Sequence, residues 1–303
     1  MSILLTGATG FIGNRLCKAL GNQGKEIRAI SRYPNTNFSD LYVCDISRKN
    51  LPMSAFKGVT SVFHLASYAH DLSNPVGKEG LYKRVNTEAT VNLANLSIKA
   101  GVKKFIYVSS TKAGSPNVTD LSISSIPEKP QGIYGKSKRK AEKELLKLSK
   151  DSDMKVVIVR PSLVYGPNVK GNLSTMINGI KQGWFPPLPD AGNSRSMIHV
   201  DDLVLALILI EKDVGNFGEI YIATDSNCYS SREIYICLCK AAGRKVPKWE
   251  VPIILFKLLS SISSGMKNKI EKLLGNEFYS NKKLETLGFR PQLTLRQINE
   301  TLF

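Results

Sequence analysis

The chain has 303 residues of ordinary apolar content (42%), enough to bury a full core in one large or two modest domains. Its formal net charge of +17 favours anionic partners but does not choose among nucleic acid, lipid headgroups and phosphate-bearing small molecules. Five scattered cysteines, three dispersed histidines and an N-terminal apolar run too short for a signal segment argue against a disulfide framework, a metal site and secretion, so a cytoplasmic protein is expected.

The chain opens with a short apolar strand that stops at Thr6, and glycines follow at positions 7, 10 and 13 before a helix predicted over 12–20. Gly7 permits the tight turn, Gly10 lets backbone approach a pyrophosphate, and Gly13 lets the helix pack near the sheet. The helix N-terminus adds free N–H groups and a positive dipole. A glycine pattern that follows a strand and opens a helix in a βαβ unit points to a dinucleotide.

Further strands are predicted at 26–30, 41–44, 61–65, 104–109 and 155–159, with helices at 79–100 and 136–150 between them. Several of these strands are continuously apolar, as strands covered on both faces are. The rhythm predicts an α/β fold, a Rossmann-type doubly wound parallel sheet. The second strand ends in Ser31 and Arg32 rather than in a carboxylate that would grip a ribose 2′-OH. That pair suits a 2′-phosphate, so NADP(H) is favoured and NAD(H) is the alternative. After the third strand, Asp45 and Ile46 are placed to flank the adenine, or Asp45 simply caps a turn.

In "YGKSK", Tyr134 and Lys138 stand four apart and share a helix face. A free tyrosine is a poor base near neutral pH. An ammonium about 5 Å away at an effective dielectric of ~20 contributes ~3 kcal/mol, lowering the phenol pKa by roughly 2. Ser110 and Thr111 follow the strand "FIYVSS" at the edge where such sheets bind ligands. The lysine-rich run around Glu142 and Glu144 reads as a solvated helix face.

Beyond residue 167 the rhythm weakens. Helices are expected at 173–182, 201–211 and 231–242 and strands in "RSMIHV" and "EIYIAT". The division expected is a dinucleotide-binding domain over 1–167 and a discontinuous substrate lobe over 168–303, with some segments returning to the main sheet. "VPIILFKLLSSISSGMKNKIEKLLG" is too short in its apolar part to span a bilayer and contains Lys257. An amphipathic packing helix is expected there, with peripheral membrane contact as the alternative.

The strings "TGATGFIG", "VFHLAS", "VNTEATVNL", "FIYVSST", "YGKSK", "RPSLVYGP" and "RSMIHVDDL" occur in the order typical of extended short-chain dehydrogenase/reductases. The chain resembles that group of nucleotide-sugar epimerases, dehydratases and reductases over nearly its entire length. The resemblance implies Tyr134 as acid/base, with Lys138 lowering its pKa and holding the nicotinamide ribose. Ser110 would bind the reacting sugar oxygen, with Thr111 in reserve. It extends the cofactor contacts to Phe11, Ile12, Leu65, Ala66 and Pro161, and the substrate contacts to Asn172 and Arg195 near the diphosphate. It also implies a homodimer joined through the helices at 79–100 and 136–150.

Where the family's dehydratases carry an adjacent acidic pair, this chain has Lys112 and Ala113, which disfavours dehydration. By overall likeness, the chain looks most like 4-reductases of UDP-4-keto-6-deoxy-N-acetylhexosamines in surface-polysaccharide synthesis. UDP-hexose 4-epimerases come next. A non-catalytic, RNA-binding use of the fold would have eroded Ser110, Tyr134 and Lys138, which are all present, so no nucleic-acid partner is expected.

Overall fold

The computed structural model describes residues 2–48, 51–69, 77–115, 129–213 and 218–299. In chain order the first half runs β1 (Ser2–Thr6), α1 (Phe11–Asn22), β2 (Glu26–Ser31), β3 (Asp40–Val43), β4 (Val59–His64), α2 (Glu79–Tyr82), α3 (Ala89–Lys99), β5 (Lys104–Val108), α4 (Gly132–Lys150) and β6 (Lys155–Pro161). The second half runs β7 (Leu163–Tyr165), α5 (Asn172–Gln182), β8 (Arg195–His199), α6 (Val200–Lys212), β9 (Glu219–Ala223), β10 (Cys228–Tyr229), α7 (Ser231–Ala241), α8 (Ile253–Ile262), α9 (Ser264–Leu274) and α10 (Lys282–Glu285).

Seven strands form a parallel sheet in the order β3-β2-β1-β4-β5-β6-β9. The order reverses between β1 and β4, so the loops leaving those two strands diverge and open a crevice at the carboxyl edge. Alternate residues along the strands supply the two faces. Leu5, Ile106 and Val159 pack with Leu16 of α1 and Leu207 of α6 on one side. On the other, Leu4, Phe105 and Val156 pack with Leu93 of α3 and Leu145 of α4. This is the doubly wound sheet that the strand and helix rhythm predicts.

β9 returns from the second half of the chain to the edge of the main sheet beside β6. The other late strands form a separate three-stranded sheet, β10-β8-β7. Tyr165, Met197 and Tyr229 of that sheet meet Leu173 of α5 and Leu238 of α7 in a third core.

Three expectations need correction. The helix expected over 79–100 is interrupted by a π-helical turn, Lys83–Glu88, a wide turn found mostly at functional positions. Glu142 does not face solvent. It is fully buried, because Arg160 of β6 reaches it with Nε and Nη2 at 2.9 and 2.6 Å and Ser109 Oγ donates to it at 2.6 Å. The apolar C-terminal stretch is two helices rather than one packing helix. Ser263 is extended between them, and its hydroxyl accepts from Met266 N to start α9. Of α8, only Phe256 is buried.

Candidate active site

The glycines after β1 behave as a cradle. Gly7 has φ +75°, and a Cβ there would lie 2.8 Å from Ala66 N. A Cβ on Gly13 would lie 2.1 Å from Gly7 O, so α1 can start this close to the strand end only without one. Gly10 N donates to Gly7 O at 2.9 Å, and Gly10 caps α1 with no side-chain bond and no acidic residue in the first turn. The end of α1 therefore presents N–H groups and a positive dipole with no cap side chain and no acidic residue of its first turn to neutralise them. A dinucleotide's pyrophosphate fits that cradle.

The remaining candidate cofactor residues lie along the same carboxyl edge. Phe11 and Ile12 open α1, while Leu65 and Ala66 follow β4 and donate to Thr6 O and Thr6 Oγ1 at 3.1 and 3.3 Å. Ser31 ends β2, and Pro161 ends β6 opposite Ala223. Arg32 is exposed and stacks over Tyr33 at 5.7 Å. Asp45 caps the short turn Ile46–Arg48, accepting from Ser47 N at 2.9 Å. Burial works to raise the Asp45 carboxyl, but the Ser47 hydrogen bonds and the nearby Arg48 and Arg32 leave it below the usual range. Arg32 and Asp45 thus share one end of the crevice.

The reactive cluster is assembled by a close approach. Ser110 is extended and caps the turn Thr111–Ala113, its Oγ accepting from Lys112 N at 3.2 Å. Lys112 O in turn accepts from Gln131 N at 2.8 Å, just before α4. A Cβ on Gly135 would sit 2.1 Å from that same Lys112 O. Glycine at 135 therefore lets the first turn of α4 rest on the Ser110 turn, which brings Tyr134 beside Ser110.

Asn86 holds the other flank of Tyr134. It sits in the π turn, accepts from Tyr68 N at 2.8 Å, and donates to Tyr68 O and Ser137 Oγ at 3.1 and 3.0 Å. Thr87 Oγ1 donates to Ser137 O at 2.9 Å. The π turn thus ties the loop after β4 to α4. Tyr82 meets the Tyr134 ring edge-on at 6.4 Å.

The electrostatics differ from the expectation at Tyr134. Burial lifts its phenol to about 12, against the pull of the Ser67 and Ser110 hydroxyls. Lys138 does not supply the expected offset. Its Nζ donates to Val108 O at 2.9 Å and lies over the Tyr107 ring at 4.7 Å, and it is 6.0 Å from the Tyr134 ring centroid. Burial in turn pushes Lys138 down to about 7, opposed by Glu142. The chain alone therefore holds Tyr134 as a phenol, a proton donor.

Two expected substrate residues stand apart from this cluster. Asn172 heads α5 and is exposed, and the structure does not join it to Tyr134. Arg195 is buried in β8 and committed to the chain itself. It donates to Lys272 O, Gly275 O and Glu277 Oε2 at 2.8, 3.3 and 3.1 Å. Glu277 also pairs with Lys112, which donates to Gln131 Oε1 at 2.7 Å as well.

Residues not singled out from sequence are Ser67, Asn86, Gly135 and Tyr279. Tyr279 is buried facing Thr111 and Gln131, and that burial raises its phenol to about 12. The first three fall inside the motifs "VFHLAS", "VNTEATVNL" and "YGKSK". Nothing local marks Tyr279, which arrives through the fold.

Comparison with known proteins agrees with this geometry. Residues 3–223 match the NAD dependent epimerase/dehydratase family. A UDP-glucose 4-epimerase of Vibrio cholerae is 34% identical over 313 residues, covering 98% of this chain and 92% of its own length. The N-acetyl-alpha-D-glucosaminyl-diphospho-ditrans,octacis-undecaprenol 4-epimerase of Escherichia coli O157:H7 is 25% identical over 311 residues, covering 98% of this chain and 92% of its own length. In fold, the structure resembles a UDP-glucose 4-epimerase of Thermotoga maritima solved with UDP-glucose. The TM-score is 0.80 at 23% identity, over 98% of this chain and 96% of that one.

Proposed function

The chain belongs to the NAD dependent epimerase/dehydratase family, and from that premise we propose that it reduces the C4 ketone of a nucleotide-diphosphate sugar. The observation that carries this reading is the placement of Tyr134 beside Ser110 at the carboxyl edge of the sheet, where Gly135 lets the first turn of α4 rest on the Ser110 turn. A ketone gains a proton on oxygen as it is reduced, and a positioned acid accelerates such a step by ~10²–10⁴-fold. The Gly7–Gly13 cradle and Arg32 would hold NADPH, which would supply the hydride when bound. Ser110 donates to O4 and fixes its position, Tyr134 delivers the proton to O4 and is reprotonated from solvent, and Lys138 lies behind it, its Nζ 6.0 Å from the Tyr134 ring centroid.

The exposed Arg32 at the end of β2 supports NADP(H), since its guanidinium suits a 2′-phosphate. Lys112, bound to Gln131 and Glu277, stands where a dehydratase needs a carboxylate acid or base, which weighs against loss of water. The substrate read from resemblance is a UDP-4-keto-6-deoxy-N-acetylhexosamine, the setting is cytoplasmic, and the assembly is a homodimer through α3 and α4. Supplied with that sugar, the protein oxidises NADPH mole for mole, followed at the reduced-nicotinamide absorbance.

The 34% identity to a UDP-glucose 4-epimerase favours a second reading. The same residues can act twice, with Tyr134 taking the O4 proton and then returning it after the sugar has turned over. Interconversion of UDP-glucose and UDP-galactose without net cofactor consumption establishes that reading and removes the first.

A further inference from the structure

Helix α8 carries an apolar face that the rest of the described chain leaves uncovered. Ile254, Leu258 and Ile262 are 55, 59 and 71% exposed, and Leu255 and Leu259 are open beside them. At 3.6 residues per turn these five form one continuous stripe, with Lys257 and Ser261 at its margin. Soluble monomers rarely expose a contiguous apolar surface of this kind without a partner. The helix is far too short to cross a bilayer, and no described helix is long and apolar enough to do so.

The surroundings specify the partner's chemistry. Trp249, just ahead of α8, is 61% exposed. Its segment is joined to the one carrying the exposed Trp184 by Val251 N donating to Pro187 O at 3.1 Å. Indoles with an apolar body and one polar edge collect at membrane–water interfaces. Between 244 and 274 there are seven Lys/Arg against two acidic residues, among them Lys257, Lys267 and Lys269, all exposed. Two copies meeting through this face would set those lysines against one another, whereas an anionic surface neutralises them.

We infer that α8, with Trp249 and the lysines of the α8–α9 pair, docks the protein in the headgroup layer of an anionic lipid bilayer. The apolar stripe enters the interface while the lysine stems extend their ammonium groups to the headgroups. A run of hydrogen bonds joins the helix pair to the Ser110 turn. The last turn of α9 and the residue after it offer Lys272 O and Gly275 O to Arg195, which shares Glu277 with Lys112 beside the Ser110 turn.

The test is vesicle co-sedimentation of the full chain, using roughly seven parts phosphatidylcholine to three of phosphatidylglycerol, against phosphatidylcholine alone. Binding is expected to the anionic vesicles, weakened at high salt by screening. Leu258→Glu with Ile262→Glu should lower the partition coefficient by roughly tenfold or more, since each removes one interfacial aliphatic side chain. Lys257→Glu with Lys267→Glu should abolish the preference for anionic lipid. All four side chains are exposed, so circular dichroism should be unchanged. No sedimentation, or sedimentation indifferent to the α8 pair, overturns the inference. So does a concentration-dependent dimer that Leu258→Glu dissociates with no vesicle binding, which assigns the face to a second copy.

Discussion

Gly135→Ala is the sharpest perturbation of the site, because it adds one methyl group and touches no reacting atom. The new Cβ would lie 2.1 Å from Lys112 O and 2.9 Å from Lys112 C. Both are backbone atoms of the turn capped by Ser110, and the added Cβ is fixed to the backbone of α4, so no side-chain rotation relieves the clash. Ordinary contact begins near 3.4 Å, and the two segments must part by about 1 Å. Because Tyr134 precedes Gly135 and Ser110 caps the turn, their separation grows with that displacement. A misplacement of ~1 Å at a reacting group commonly costs ~10²-fold in rate, and overpacking of this kind costs ~1–3 kcal/mol of stability. The assay is steady-state kcat and KM on the purified variant, with NADPH affinity by fluorescence and stability by urea titration. Gly80→Ala is the control, since nothing lies within 4 Å of that position in α2. The expected outcome is a large fall in kcat with near-normal NADPH affinity. A Gly135→Ala enzyme turning over like the Gly80→Ala control would refute the positioning of Tyr134 by this contact.

Tyr134→Phe should remove ~10²–10⁴-fold of turnover while leaving cofactor affinity nearly unchanged, and a variant with wild-type rate rules the tyrosine out as proton donor. Arg32→Ala should weaken NADP(H) far more than NAD(H), because only the former loses a charge-assisted contact; equal losses in titration calorimetry show that the end of β2 does not choose the cofactor. Arg160→Met should cost ~3–5 kcal/mol in urea unfolding, since it removes the buried guanidinium that meets both Glu142 oxygens and leaves the buried carboxylate only Arg139 and Ser109, and a change below ~1 kcal/mol contradicts that. His64 is buried between Thr6 and Thr90, and burial, with a smaller push from Lys138, lowers its pKa from 6.5 to about 3. Between those values the unfolded chain binds the extra proton, so stability is lost as pH falls from 6.5 toward 3, with a slope approaching ~1.4 kcal/mol per pH unit from this group. His64→Asn should flatten that slope in urea titrations at pH 4 to 7, and an unchanged slope excludes the histidine as its source.

The main sheet was legible because its strands are covered on both faces and read as apolar runs, and because the glycines at 7, 10 and 13 answer a local backbone requirement. Tyr134 and Ser110 were legible for a similar reason, each lying at the end of an element that the pattern fixes. What depends on contacts between distant segments was not. Glu142 looked solvated because its neighbours in sequence are lysines, and only the fold brings Arg160 and Ser109 to it. The phenol of Tyr134 was expected lower because spacing alone puts Lys138 on its helix face. Burial and the bond to Val108 O, neither visible in a helical repeat, reverse the sign. Tyr279 and Glu277 carry no motif and reach the Ser110 turn only through the path of the chain after α9. In the C-terminal apolar stretch the spacing pointed to one packing helix, but it showed neither the break at Ser263 nor whether a partner element exists to cover α8.

The central claim is that hydride passes to C4 of a sugar held at Ser110 and Tyr134. Its most direct test uses NADPH carrying deuterium at both hydrogens of nicotinamide C4, UDP-4-keto-6-deoxy-N-acetylhexosamine as acceptor, and NMR of the product. Deuterium should appear at C4 of the sugar alone, in one configuration, in amount equal to the NADPH consumed. A product without deuterium at C4, or label at any other carbon, contradicts the account.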